Sequence, residues 1–158
     1  MLNKRYSQLQ SGFTYIGILM LMVLMSISMA GVGLVWHIQL QREKERQLLL
    51  IGNTIRKAIG SYYANSPSDT GKYPPTLEAL LLDERKIVPK RHIRKIYKDP
   101  IGQQQEWVLI MQNKGVVGIH SQSTLKPLRI SGFPEAYEAF SKAKSYQDWK
   151  FVFVPGKD

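Results

Sequence analysis

The apolar positions of this chain are distributed in two different ways along what reads as one helix. From Phe13 to Ile38 the residues are almost wholly apolar, and no Asp, Glu, Lys or Arg occurs from Tyr6 through Gln41. About 26 helical residues at about 1.5 Å each cover roughly 39 Å, more than the ~30 Å hydrocarbon core of a bilayer. Such a segment can span with tilt, with Lys4 and Arg5 held on the cytoplasmic side and the rest of the chain beyond the far face. Gln39 to Gln47 is rich in helix formers and free of proline, so the helix is expected to continue into water. Leu48, Ile51, Ile55, Ile59 and Tyr62 then recur at three- and four-residue spacing, the signature of one buried face. The pattern predicts a single helix from Phe13 to about Tyr62, apolar all round in its first half and amphipathic over 39–62. Gly31, Gly33, Gly52 and Gly60 are its expected weak points, each costing about 1 kcal/mol relative to Ala.

Asn65 to Pro75 changes to Asn, Ser, Pro, Asp and Gly and ends the helix. Thr76 is placed to cap a short helix over Leu77 to Leu82. Ile93, Ile96 and Tyr97 suit one apolar turn before Asp99-Pro100-Ile101-Gly102. Trp107 to Met111 and Val116 to His120 are β-rich runs separated by Gln112-Asn113-Lys114-Gly115, a hairpin signal. Beyond the break at Gly132-Phe133-Pro134, Glu135 to Ala143 reads as helix and Trp149 to Val154 as a last strand. A small antiparallel sheet laid on the amphipathic half of the long helix is the simplest way to bury these pieces, which makes the fold class α+β.

At 158 residues there is room for one folded domain and one anchor. With no cysteine, disulfides and thiolate metal sites are excluded. His37, His92 and His120 are far apart, no metal site is expected, and no nucleophile, base and orienting group converge, so no catalytic residues are assigned. His37 sits beside Trp36 at the edge of the apolar run, where an interfacial anchor explains both. His92 lies among cations with no sequence-near carboxylate before Asp99. The net charge of +10 concentrates in Arg85, Lys86, Lys90, Arg91, Arg94, Lys95 and Lys98. Such a cluster can contact an acidic partner or neutralise nucleic-acid phosphates, but no nucleic-acid motif or aromatic alternation accompanies it. Protein contacts are therefore the expectation, with DNA as the alternative.

The N-terminus resembles a type IV prepilin, with a leader containing Lys4 and Arg5, a terminal Gly12, and Phe13-Thr14-Tyr15-Ile16 opening the apolar helix. The middle is similar to the major pseudopilin of type II secretion in Tyr73-Pro74-Pro75-Thr76-Leu77-Glu78-Ala79-Leu80 and in Lys98-Asp99-Pro100-Ile101-Gly102 followed by Trp107. The resemblance covers about the first two thirds of the chain and implies a type IV pilin-like fold divided into leader 1–12, transmembrane and assembly helix 13–38, and periplasmic domain 39–158. It also implies cleavage between Gly12 and Phe13 by a prepilin peptidase and N-methylation of Phe13. The implied partners are other pilin-like subunits and an inner-membrane assembly platform, in a pseudopilus or pilus that supports protein secretion.

Two positions depart from that family. Gly17 stands where a glutamate usually follows the cleavage-site Phe by four residues, so Thr14 and Gly17 mark an assembly helix without its customary carboxylate. The acidic calcium loop of major pseudopilins is replaced by His120-Ser121-Gln122-Ser123-Thr124-Leu125-Lys126-Pro127, which offers calcium no evident oxygen cage, so no cofactor is assigned although the resemblance admits calcium. The competing readings are a minor pilin for DNA uptake or adhesion, a plain uncleaved anchor, and a binding module with an ordinary secretory signal cut after Ser28-Met29-Ala30.

Overall fold

The computed structural model describes residues 11–67, 72–103 and 106–156, with the side chains of residues 11 and 29–35 outside that description. Lys4, Arg5 and most of the 1–12 leader lie outside the described residues. The chain divides into two compact units, Met1–Leu40 and Gln41–Asp158.

One helix, α1, runs from Ser11 to Ala64, two residues beyond the expected span at each end. Its C-terminus is closed by Asn65, whose amide nitrogen and side-chain Nδ2 both donate to the Ser61 carbonyl. This satisfies an acceptor that the helix end would otherwise leave open. The buried stripe in the second unit is Leu48, Gly52, Ile55, Ile59 and Tyr62. Ile51, expected in that stripe, is only partly buried and Gly52 takes the central place. A Cβ built on Gly52 would meet the Phe151 ring at 2.5 Å, and one on Gly60 would meet the Phe153 ring at 2.7 Å. These two glycines are therefore seats for aromatic rings and let the end of the chain approach the helix closely, whatever they cost in helix propensity.

The sheet is antiparallel with order β1-β2-β3, from β1 Val108–Gln112, β2 Gly115–His120 and β3 Phe151–Val152. Asn113 and Lys114 link β1 to β2, both with positive φ, 50° and 63°, the primed turn whose twist suits a two-residue hairpin. A register shift between Ile110 and Met111 interrupts the ladder, and β2, the central strand, is buried from Gly115 through Ile119. Around Trp149, the rings of Phe133, Phe140 and Tyr146 lie 5.4 Å away, Phe140 stacked and the other two edge-on. The α+β arrangement of a long helix packed on a small antiparallel sheet is as expected.

Several elements are shorter or tighter than the sequence suggests. Leu77 to Leu82 yields only a 3₁₀ turn, Glu78–Leu80, and its N-cap is Leu77. The Thr76 hydroxyl is bonded to the Glu78 carboxylate instead. Glu135 to Ala143 forms 3₁₀ helix, Glu135–Lys142, with a non-helical break at Tyr137, where the side chain is buried and its hydroxyl donates to Asn53 Oδ1 at 2.8 Å. Trp149 to Val154 contributes only two residues of strand, and Trp149 instead caps a preceding 3₁₀ turn, Tyr146–Asp148, that carries a Ser145–Asp148 capping box. In each case a short segment yields its regular hydrogen bonds to side-chain contacts that its own periodicity does not reveal.

Candidate functional site

Two regions carry the residues singled out by the sequence, and they lie in different units. In the first, α1 exposes apolar side chains on every side: Phe13 is 83 % exposed, and Tyr15, Ile16, Ile18 and each residue from Leu19 through Met25 also stand exposed. The polar groups here turn inward to the helix, with Ser26 Oγ donating to the Met22 carbonyl at 2.8 Å and Ser28 Oγ to the Leu24 carbonyl at 2.9 Å. Back-bonding of this kind hides hydroxyls that would be costly in an apolar setting. Nothing lies within 4 Å of a Cβ placed on Gly12 or on Gly17, so both positions present bare backbone. Among the described residues no helix is long and apolar enough to cross a membrane.

In the second unit the basic cluster separates into one structural cation and six exposed ones. Lys86, Lys90, Arg91, Arg94, Lys95 and Lys98 are exposed. Arg85 is not: its Nε and Nη2 each bond the Asp83 carboxylate at 2.8 Å, Nη2 donates to the Tyr62 carbonyl at 3.0 Å, and Nη1 donates to Ser66 Oγ at 2.9 Å. Its guanidinium lies 3.5 Å from the centre of the Tyr62 ring. As a possible partner contact Arg85 is thus withdrawn from the cluster and spent on tying α1 to the following loop. The fork geometry of arginine explains why this position is not a lysine like its neighbour.

Asp83 also reaches His92, which the sequence left without a carboxylate. His92 Nε2 is 3.3 Å from Asp83 Oδ2, its Nδ1 is 2.8 Å from Ser61 Oγ, and its side chain is fully buried. The hydrogen bonds from Arg85 hold the Asp83 carboxyl well below its usual range. Burial lowers His92 from its ordinary 6.5, against the opposing pull of Asp83. A serine, a histidine and an aspartate are thereby connected in series. However, Ser61 lies inside α1, where backbone amides are committed to the helix and leave no pair of donors for an oxyanion, and the aspartate is already neutralised by Arg85. The chemistry this arrangement supports is fastening: it joins α1 to a loop 22 and 31 residues further on in sequence, at Asp83 and His92. Arginine-carboxylate pairing two residues apart, Asp83-Glu84-Arg85, was the signal available in the sequence; the long-range link to Ser61 had none.

The pieces that resemble the pseudopilin middle also meet. Asp99 is buried, accepts from Ser121 Oγ at 2.5 Å and from the Ile101 amide at 2.9 Å, and a side chain on Gly102 would strike its carboxylate. Trp107 Nε1 donates to the Tyr97 carbonyl at 2.7 Å. Among the described residues no group of three or more His, Cys, Asp or Glu could hold a metal ion. A further buried acid escaped the sequence reading: Glu45 Oε1 accepts from the Leu128 amide at 2.6 Å, the Arg129 amide at 3.2 Å and the Tyr146 hydroxyl at 2.8 Å. It clips the 126–129 segment to α1 at the position one turn before Leu48. No protein-family model, curated protein or solved structure matches the chain.

Proposed function

We propose that the chain is a pilin-like structural subunit, closest to a type II secretion pseudopilin, anchored in the inner membrane by residues 13–38 with residues 39–158 in the periplasm, and joined to other subunits through that same helix. The observation that carries this reading is the contrast within α1, whose second half is the spine of a folded domain while its first half exposes apolar side chains all round. A helix that is apolar on every face requires lipid or other helices to cover it. The charge-free sequence from Tyr6 through Gln41 supplies the length for a bilayer, and the Gly12-Phe13 junction supplies the point at which a prepilin peptidase would cut and Phe13 would be methylated. The exposed cations Lys86 to Lys98 serve in contacts with protein partners, and tight DNA binding at physiological salt would favour the uptake reading.

Gly17 refines the proposal. A carboxylate costs about 2.5 to 3.5 kcal/mol at a bilayer centre and less near the interface, so its absence at Gly17 eases residence of the monomer in the membrane, while a filament loses a partner for the Phe13 amine. The subunit is therefore assigned to a low-copy or priming position in a mixed assembly. Mass spectrometry of the mature chain from its native host tests the reading: an N-terminal methyl-Phe13 is expected. A chain beginning at Gly31 would establish a secretory signal instead, and one retaining Met1 a plain anchor.

A further inference from the structure

The loop between Asp83 and Lys90 combines a rigid base with an apolar tip. At its base Asp83 and Lys90 exchange backbone hydrogen bonds of 2.8 and 3.0 Å, and the Arg85 fork and His92 bind the same aspartate from either side. Pro89 stiffens the return strand. At the tip Ile87 is fully exposed and Val88 is 77 % exposed, with Lys86, Lys90 and Arg91 exposed around them. Two β-branched apolar residues held in water on a braced loop incur a solvation cost that burial in a partner would remove. Bracing lowers the entropy lost on docking.

We infer that this loop is a docking finger that inserts Ile87 and Val88 into an apolar cleft rimmed by carboxylates on a different protein. The inference adds a partner's chemistry to the filament reading and can fail independently of it. Nucleic acid is a poor match because the tip offers aliphatic groups, with neither an aromatic platform for bases nor a side chain to read their edges. The anchoring bilayer is a poor match as well, because two aliphatic side chains bury far less than an acyl chain, which alone gives only marginal membrane binding. A second copy is disfavoured by charge, because three clefts of the domain carry cations of their own. One of about 390 Å³ is lined by Arg42, Arg46 and Arg129 beside Glu45, whose carboxylate is taken up by the Leu128 and Arg129 amides, one of about 600 Å³ by Lys72 and Lys114, and one of about 310 Å³ by Lys57. A lysine-rimmed finger would be repelled from each. The cations Lys86, Lys90 and Arg91 around the tip are complementary to a heterologous protein of the opposite charge.

The test places a photo-crosslinking benzoylphenylalanine at Val88 in the full-length chain in its native host, with Leu125, also exposed, as the control position. A single adduct with another protein is expected from Val88 and not from Leu125, mapped to a segment that contains Asp or Glu. Its yield should fall about tenfold or more when Lys86, Lys90 and Arg91 are reversed to Glu, and should recover when the mapped carboxylates are changed to Lys. Ile87→Asp should also remove the adduct while leaving the thermal midpoint unchanged, which separates lost docking from lost folding. Adducts only with a second copy, with lipid or with DNA, an adduct indifferent to charge reversal, or no adduct at all would overturn the inference. An unprocessed N-terminus together with the expected adduct would refute the filament reading and leave the finger standing.

Discussion

The two halves of α1 both carry large aliphatic residues, 16 of the 30 positions from Ser11 to Leu40 and 6 of the 24 from Gln41 to Ala64, but dispose of them in opposite ways. In Gln41–Asp158, Leu48, Ile55 and Ile59 are buried under the sheet and its aromatic cluster, and even the glycines are in tight contact, Gly52 with Phe151 and Gly60 with Phe153. In Met1–Leu40, Ile16, Leu19 and Val23 are exposed, and Gly17 has open space around it. The presence of a large aliphatic side chain therefore does not by itself say whether it is buried within the domain or awaits a partner. Periodicity does, because a stripe interrupted by Asn53, Thr54 and Lys57 needs cover on one side only, whereas an uninterrupted run cannot be satisfied by a single face.

The contrast is most sharply tested by equivalent truncations in the two halves. Phe151→Ala removes a buried ring that contacts Gly52, Tyr137 and Phe140 and should cost about 3–5 kcal/mol. Met22→Ala in the exposed half should change domain stability by less than about 0.5 kcal/mol. Urea unfolding followed by tryptophan fluorescence measures both, and comparable losses would mean that the first half has a core of its own. The fastening around Asp83 ranks next. Arg85→Ala removes two charge-assisted bonds to a buried carboxylate and is expected to cost about 2 kcal/mol, while Lys86→Ala, next in sequence but exposed, should be near neutral.

The pH dependence is a smaller effect with a defined sign. His92 is held below its ordinary 6.5, so as pH falls the unfolded chain takes up the proton first. The stability it contributes is full above pH 6.5 and declines below that value. Asp83 is depressed below its ordinary 3.8, so its contribution persists above that pH and is lost as pH falls further. Thermal midpoints measured from pH 7.5 down to 3 should therefore fall in two stages, and His92→Gln should abolish the upper stage while sparing the lower. A midpoint independent of pH between 7.5 and 5 in the native chain would contradict the buried neutral histidine. The smallest effect on the isolated chain belongs to Gly17→Glu, which meets no neighbour and should leave the domain's midpoint unchanged. Its consequence is expected in assembly, where more surface filaments should form than with the native chain when each is overexpressed with its machinery. Abundant native filaments with no gain from the glutamate would sink the low-copy assignment.

Much of this architecture follows from the sequence alone because it is encoded by local rules. The change from an unbroken apolar run to three- and four-residue spacing defines α1 and its two characters. The positions of Asn113 and Lys114 between two β-rich runs define the hairpin, and the shift to polar, proline-rich sequence after Ala64 ends the helix. Each signal lies within a few residues of the feature it creates. What only the tertiary structure decided depends on groups distant in sequence. Gly52 displaced Ile51 from the centre of the stripe because a ring from Phe151 needed the space. Arg85 left the basic cluster and His92 gained a carboxylate because the loop folds back onto Ser61 and Tyr62. Glu45 could be buried because the amides of Leu128 and Arg129 arrive to satisfy it. Side-chain periodicity reports which face of an element is covered, but the identity of the covering atom is fixed only when the chain closes on itself.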